Sequence, residues 1–261
     1  MYKKSIRIGE HSVRIISDCM ELMNMFNKNY TLHVDETDQQ PDLTVLIQEG
    51  YGVPYVNDEV MIVTQANIIT YTRADYMIEV DSEYKHAYMK VHNELALKHA
   101  LMNVYSSMIV HHSWGLLIHS SCVEENGRAY IFAGHSGAGK STAAQLSYPR
   151  ELLSDEATIV KISSEEITIM NSPFRSELAT PYTQGCLPLS SIHMLYQAPQ
   201  NNHTPLKKSD AYVHLIDKVF SWSNNDLAAK RILNLLNILV RKVPVYDLHF
   251  QKNNTFWELI S

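Results

Sequence analysis

The first ninety residues carry short runs of β-branched and aromatic side chains set between turn formers. Ser12 to Ser17, Asp42 to Gln48, Val60 to Thr72 and Tyr76 to Val80 predict strands, with Tyr84 to His92 as one more. Gly50-Tyr51-Gly52-Val53-Pro54 and Asn57-Asp58 punctuate them as loops. The pattern then changes. Leu95, Leu97, Ala100, Leu101, Val104, Met108 and Ile109 roughly follow a 3.6-residue period, which predicts a helix over about Asn93 to Val110. Asn93 suits its cap and Glu94 its first turn, whose free N–H groups favour an oxygen acceptor and negative charge.

Further on, Leu116-Leu117-Ile118 opens a buried strand. Glu124-Glu125-Asn126-Gly127 reads as a hairpin turn, and Ala129 to Ala133 as the returning strand. Ala157 to Ile162 and Glu166 to Met170 predict two strands joined at Ser163-Ser164-Glu165, and Ser190 to Gln197 another. Asn201 to Pro205 reads as a polar loop. Asp226 to Arg241 is an amphipathic helix that Pro244 closes. Val245 to Phe250 and Thr255 to Ile260 read as a final hairpin. The order predicts a mixed α/β (α+β) fold: a strand-rich N-terminal region over 1–92 and a second domain over 93–261.

Composition agrees with a folded chain, since 45% of the 261 residues are hydrophobic and 19% charged. The formal charge of −6 argues against a general nucleic-acid binder, which needs a basic face. No apolar run reaches the ~18 residues that span a bilayer, and Met1 to Arg7 lacks the apolar core of a signal peptide. Cys19, Cys122 and Cys186 are odd in number and far apart, which predicts no disulfide framework, no zinc knuckle and a reducing, cytoplasmic location. Cys122 and Cys186 read as buried thiols. The adjacent His111 and His112 read as surface or helix-end residues, because neighbours cannot share one helix face.

The candidate chemistry begins after the Ala129–Ala133 strand. Gly134-His135-Ser136-Gly137-Ala138-Gly139-Lys140-Ser141-Thr142 matches the phosphate-loop pattern Gly-x-x-x-x-Gly-Lys-[Ser/Thr]. Glycines let the backbone curl so that several N–H groups converge on one anion. A helix starting near Lys140 would point its N-terminus at the same phosphates. Lys140 is expected to reach the β- and γ-phosphates of a nucleotide, and the Ser141 hydroxyl to bind Mg²⁺. A preceding apolar strand and a helix-favouring Thr142 to Leu146 supply the context such a loop needs.

Fifteen residues beyond Lys140 stands Asp155-Glu156, just ahead of a strand. Two carboxylates beside a Mg²⁺-triphosphate can divide labour, one holding the metal and the other accepting a proton from an attacking hydroxyl. Taken alone, the pair is also a plain solvated turn. His119 in the same way can be a hydrogen-bonded core histidine, Arg175 a surface ion-pair partner, and Lys207-Lys208 a solvated loop.

Leu117-Ile118-His119-Ser120-Ser121, Tyr130 to Thr142 and Leu153-Ser154-Asp155-Glu156 together resemble the catalytic domain of the HPr kinase/phosphorylase family, whose fold is related to ATP-dependent phosphoenolpyruvate carboxykinase. The clear likeness runs from about Ile118 to Ile192. The tail Val243 to Phe250 is similar to short, stand-alone members, of which lasso-peptide kinases, acting on a serine near the peptide's C-terminus, are the nearest. The resemblance implies a phosphate-loop kinase fold, ATP and Mg²⁺ as cofactors, and a peptide or small protein carrying an acceptor serine as partner. It implies that His119 lines the transfer site, Asp155 is the general base, Glu156 lies near the metal, and Arg175, in Pro173-Phe174-Arg175-Ser176-Glu177, neutralises the transferring phosphoryl. Glu156 stands where the family has aspartate. The glycine- and arginine-bearing signature that accompanies docking of HPr does not follow the acid pair, which weighs against HPr as acceptor and against reverse phosphorolysis.

The expected function is therefore an ATP- and Mg²⁺-dependent serine kinase acting on a ribosomally synthesised peptide. An HPr-protein or free-serine kinase of the same fold, and a non-catalytic ATP-binding switch or recruitment module, are the alternatives. Relatives in the resembled family are often homo-oligomers; no interface signal stands out here, and no nucleic-acid or membrane partner is expected.

Overall fold

The computed structural model describes residues 1–33, 40–175, 185–222 and 225–260. The chain divides into two units, residues 1–112 with 221–228, and residues 113–220 with 229–261.

The first unit contains β1 (Tyr2–Ile8), β2 (His11–Ser17), α1 (Met20–Asn29), β3 (Thr31–His33), β4 (Leu43–Glu49), β5 (Met61–Gln65), β6 (Ile68–Arg73), β7 (Tyr76–Asp81), β8 (His86–Val91) and α2 (Glu94–His111). Its strands form one sheet in the order β3-β1-β2-β4-β8-β7-β6-β5. Cross-strand partners Ile6 and Val13, Val45 and Ala87, Met89 and Ile78, and Ile78 and Tyr71 are all buried. One face is thus apolar across the sheet, because side chains two apart share a face. Helix α1 packs on β1 to β3, and α2 on β7 and β8. Asn93 caps α2 as expected, accepting from the Ala96 N–H at 3.0 Å. The expected boundary at 92/93 precedes α2, whereas the division between the units follows it, because α2 packs on β7 and β8. His111 ends that helix and His112 caps it.

The second unit contains β9 (Gly115–Glu125), β10 (Arg128–Ala133), α3 (Lys140–Leu146), β11 (Leu152–Ser154), β12 (Ala157–Ile162), β13 (Ile167–Met170), β14 (Cys186–Gln197), β15 (Asn202–Pro205), α4 (Lys208–Ile216), most of α5 (Asp226–Lys242), β16 (Val245–Phe250) and, after a short 3-10 turn, α6 (Trp257–Ile260). Two long strands each serve two sets of neighbours. β9 pairs β12 through its first half and β10 through its second. β14 pairs β13 antiparallel at its start, then lies parallel to both β10 and β16. The β10–β14 pairing closes β9, β12, β13, β14 and β10 into a ring. The three parallel strands β10, β14 and β16 end on the same side, where ligands commonly sit in α/β sheets. The architecture is mixed α/β.

Several expectations are corrected. Val60 to Thr72 is not one strand but the β5–β6 hairpin, turned at Ala66 with φ +52°. Asn201–Pro205 is largely strand β15, and Thr255–Ile260 is helical rather than a returning strand. Helices α1 and α4 were not expected, and Lys208 opens α4 rather than lying in a loop. Cys122 is buried, but Cys186 is exposed at the start of β14. No helix among the described residues is long and apolar enough to cross a membrane.

Candidate functional site

Strand β9 organises the site. Ser121 faces Phe132 of β10, and His119 faces Ala157 of β12. Ser154 of β11 faces Cys122, and the Ser120 N–H donates to the Glu156 carbonyl at 3.2 Å, so the Asp155-Glu156 bend lies alongside Ser120 and Ser121. Ser120, Ser154 and Thr158 are fully buried and exchange hydrogen bonds of 2.5–2.7 Å. This network fixes the chain on both sides of the acid pair, since buried hydroxyls are costly to leave unpaired.

The glycine-rich loop leaves β10 and enters α3, the strand–loop–helix order its sequence predicts. Gly137 and Gly139 take φ of +80° and +104°, a region that excludes most side chains. A Cβ on Gly139 would also sit 2.8 Å from the Phe250 ring. The Ser121 hydroxyl donates to the Lys140 carbonyl at 3.0 Å, tying the start of α3 to β9. Gln197, at the end of β14, donates from Nε2 to the Gly137 carbonyl at 2.9 Å. Lys140 Nζ donates to the Gly134 and His135 carbonyls, both at 3.2 Å. Burial, and after it the nearby Lys218 ammonium, hold Lys140 below the ordinary lysine pKa.

A cleft of about 420 Å³ gathers these pieces. His119, Lys140, Ser141, Asp155 and Glu156 line it, with Ser136, Gly137, Gly139 and Thr142 from the loop and Gln197 beside them. Asp155 is only 3% exposed. The His119 ring stacks on Phe220 at 5.3 Å, and its backbone N–H donates to the Lys218 carbonyl at 2.7 Å. Of the other expected loop residues, Gly134 and His135 line a neighbouring cavity with Lys218, and the Ala138 methyl is buried in the core under the loop.

Arg175 is not among the residues lining the cleft. Its guanidinium donates to the carbonyls of Ser172, Leu152 and Leu153 and to Asn171 Oδ1, at 2.7–3.4 Å. It clamps the strand that leads into Asp155. Ser176 and Glu177 of its motif lie outside the described residues.

Sequence reasoning missed Gln197, Lys218 and Phe220. A polar residue closing an apolar strand could have pointed to Gln197; Lys218 and Phe220 carry no local signal. They reach β9 through an isolated bridge between Ile118 and Val219.

Chemically, the cleft combines an ammonium, turned backbone, three hydroxyls and two carboxylates. No group of three or more His, Cys, Asp or Glu able to hold a metal occurs among the described residues. The Ser141 hydroxyl and the Glu156 carboxylate would offer oxygen ligands. That set suits a hard cation completing its shell with phosphate oxygens and water.

The fold and cleft define a mixed α/β protein whose candidate site sets a glycine-rich loop and a lysine beside two carboxylates. Residues 83–261 match the family described as SynChlorMet cassette protein ScmC, and the chain belongs to that family. The matched stretch contains the whole second unit and, with it, every residue lining the cleft. No curated protein matches the chain.

Proposed function

We propose that the protein is an ATP- and Mg²⁺-dependent kinase that transfers the γ-phosphoryl group to a serine hydroxyl, in a ribosomally synthesised peptide of the lasso type, on a fold of the HPr kinase kind. The observation that carries this reading is the meeting of Lys140 and Ser141 with His119, Asp155 and Glu156 in one cleft.

Each residue has a task. Lys140 and the loop N–H groups hold the β- and γ-phosphates and offset charge as it grows on them. Ser141 and Glu156 hold Mg²⁺, which neutralises phosphate charge when bound. Asp155 accepts the serine proton while the serine oxygen bonds to the γ-phosphorus and the bond to the β-phosphate oxygen breaks, leaving ADP. His119, held by Phe220 and the Lys218 carbonyl, borders the transfer site. Arg175 acts through β11: it keeps the carbonyls of Leu152 and Leu153 in place and so positions Asp155.

The test is incubation of the protein with γ-labelled ATP, Mg²⁺ and serine-bearing peptides. Label on a peptide serine is the expected result. ATP binding with no label on any peptide, free serine or HPr protein would reduce the protein to a nucleotide-binding module.

A further inference from the structure

A second cavity, of about 350 Å³, adjoins the cleft and is lined by Thr142, Gln197, Ala198, Pro199, Phe250 and Lys252. Thr142 and Gln197 line both spaces, whereas His119, Asp155 and Glu156 line only the cleft. The two spaces therefore share Thr142 and Gln197 as a common wall. The volume falls within the roughly 300–1,000 Å³ of small-molecule sites.

Its walls are built. Gln197 of β14 and Phe250 of β16 are partners in parallel strands, and the Ala198 N–H donates to the Phe250 carbonyl at 3.0 Å. Gln251 Nε2 donates to the Pro199 carbonyl at 2.8 Å, fixing the facing turn. The Pro199 ring and the Ala198 methyl give apolar surface, backed by Phe250, whose side chain is buried in the core beneath. The Thr142 hydroxyl and Lys252 ammonium give polar groups. A planar apolar body with a polar rim fits a heteroaromatic base carried on a sugar.

We propose that this cavity seats the nucleoside of the phosphate donor, with the triphosphate running past Thr142 and Gln197 into the cleft so that its terminal phosphate lies at Asp155 and Glu156. The inference rests on the reading of the cleft as a triphosphate site, and it makes a nucleotide, rather than an inorganic polyphosphate, the donor. It assigns Ala198, Pro199, Phe250 and Lys252 to donor recognition.

The experiment compares ATP with inorganic tripolyphosphate, both with Mg²⁺, by calorimetry on the wild-type protein and on Ala198→Leu, which fills the cavity from its wall. The wild type is expected to bind ATP at least about tenfold more tightly than tripolyphosphate. In Ala198→Leu most of that preference should vanish while tripolyphosphate affinity stays. Equal affinity of the wild type for the two ligands overturns the nucleoside seat but leaves the cleft reading standing; binding of neither overturns the cleft reading itself. Photolabelling the wild type with 8-azido-ATP gives an independent readout. Label on the peptides holding residues 197–199 or 250–252 supports the proposal, and label confined elsewhere overturns it.

Discussion

Lys140 is held in a setting that penalises its own charge. Burial and then Lys218 lower its pKa, and a bound polyphosphate would offset both effects. Binding should therefore raise the Lys140 pKa and take up a proton at pH values between the free and bound values. ATP affinity should fall as pH rises through the free-state pKa, beginning below the range of an exposed lysine. Removing the second charge in Lys218→Met should move that fall to higher pH. Calorimetry across the alkaline range checks this, and superimposable profiles for the two proteins would contradict it. His193 makes a separate residue-scale case. Burial and then His203 push its pKa down to about 3. The folded protein refuses a proton that the unfolded chain accepts below about 6.5. Stability is thus full above that pH and is lost as pH falls toward 3, at about 1.4 kcal/mol per pH unit for the one proton. Denaturant melts from pH 7 to 4 should show a shallower acid loss in His193→Phe. At this scale, Lys140, Ser141 and Asp155 were legible because their signal is local. Lys218 and Phe220 were not, because only the bridge to β9 brings them in.

At the scale of elements, the glycine-rich loop and the strand before Asp155 are the two parts whose geometry matters most. Gly139→Ala forces a side chain onto a φ of +104° and against Phe250. It should cost roughly 1–3 kcal/mol of stability, read as a lowered denaturation midpoint. Arg175→Lys keeps the charge but cannot reproduce a fork bonded to four acceptors. It should lose roughly 1–3 kcal/mol and lower kcat while leaving ATP affinity near wild type; unchanged stability would contradict the clamp. The strand–loop–helix run from β10 to α3 could be read directly, since the hydrophobic run and the glycine spacing are contiguous. β15 could not, because Asn202 to Pro205 is mostly polar and is held as a strand only by pairing with β16. The β5–β6 turn was hidden for a related reason: Ala66 and not glycine takes the positive φ, so the usual turn signal is missing. The sequence of the C-terminal helix predicts a strand as readily as a helix, because Phe256, Trp257 and Ile260 suit either form. Their packing on the core beneath the loop decides it.

For the whole molecule, every residue placed in the cleft and in the adjoining cavity belongs to the second unit. Hydrogen exchange with and without ATP and Mg²⁺ should show new protection over residues 134–142, 152–157 and 197–199. Protection absent from the loop and concentrated in strands β1 to β8 would contradict the assignment. The mixed α/β class was legible in the succession of elements, but the closure of the ring by β10 and β14 was not, because pairing between distant strands leaves no local trace. The central claim is that a buried carboxylate beside a bound triphosphate takes the proton of an incoming hydroxyl. The most direct measurement pairs ATP affinity with phosphoryl transfer to a serine peptide in Asp155→Asn. The account predicts affinity close to wild type and transfer reduced at least about 100-fold; transfer at the wild-type rate would contradict it.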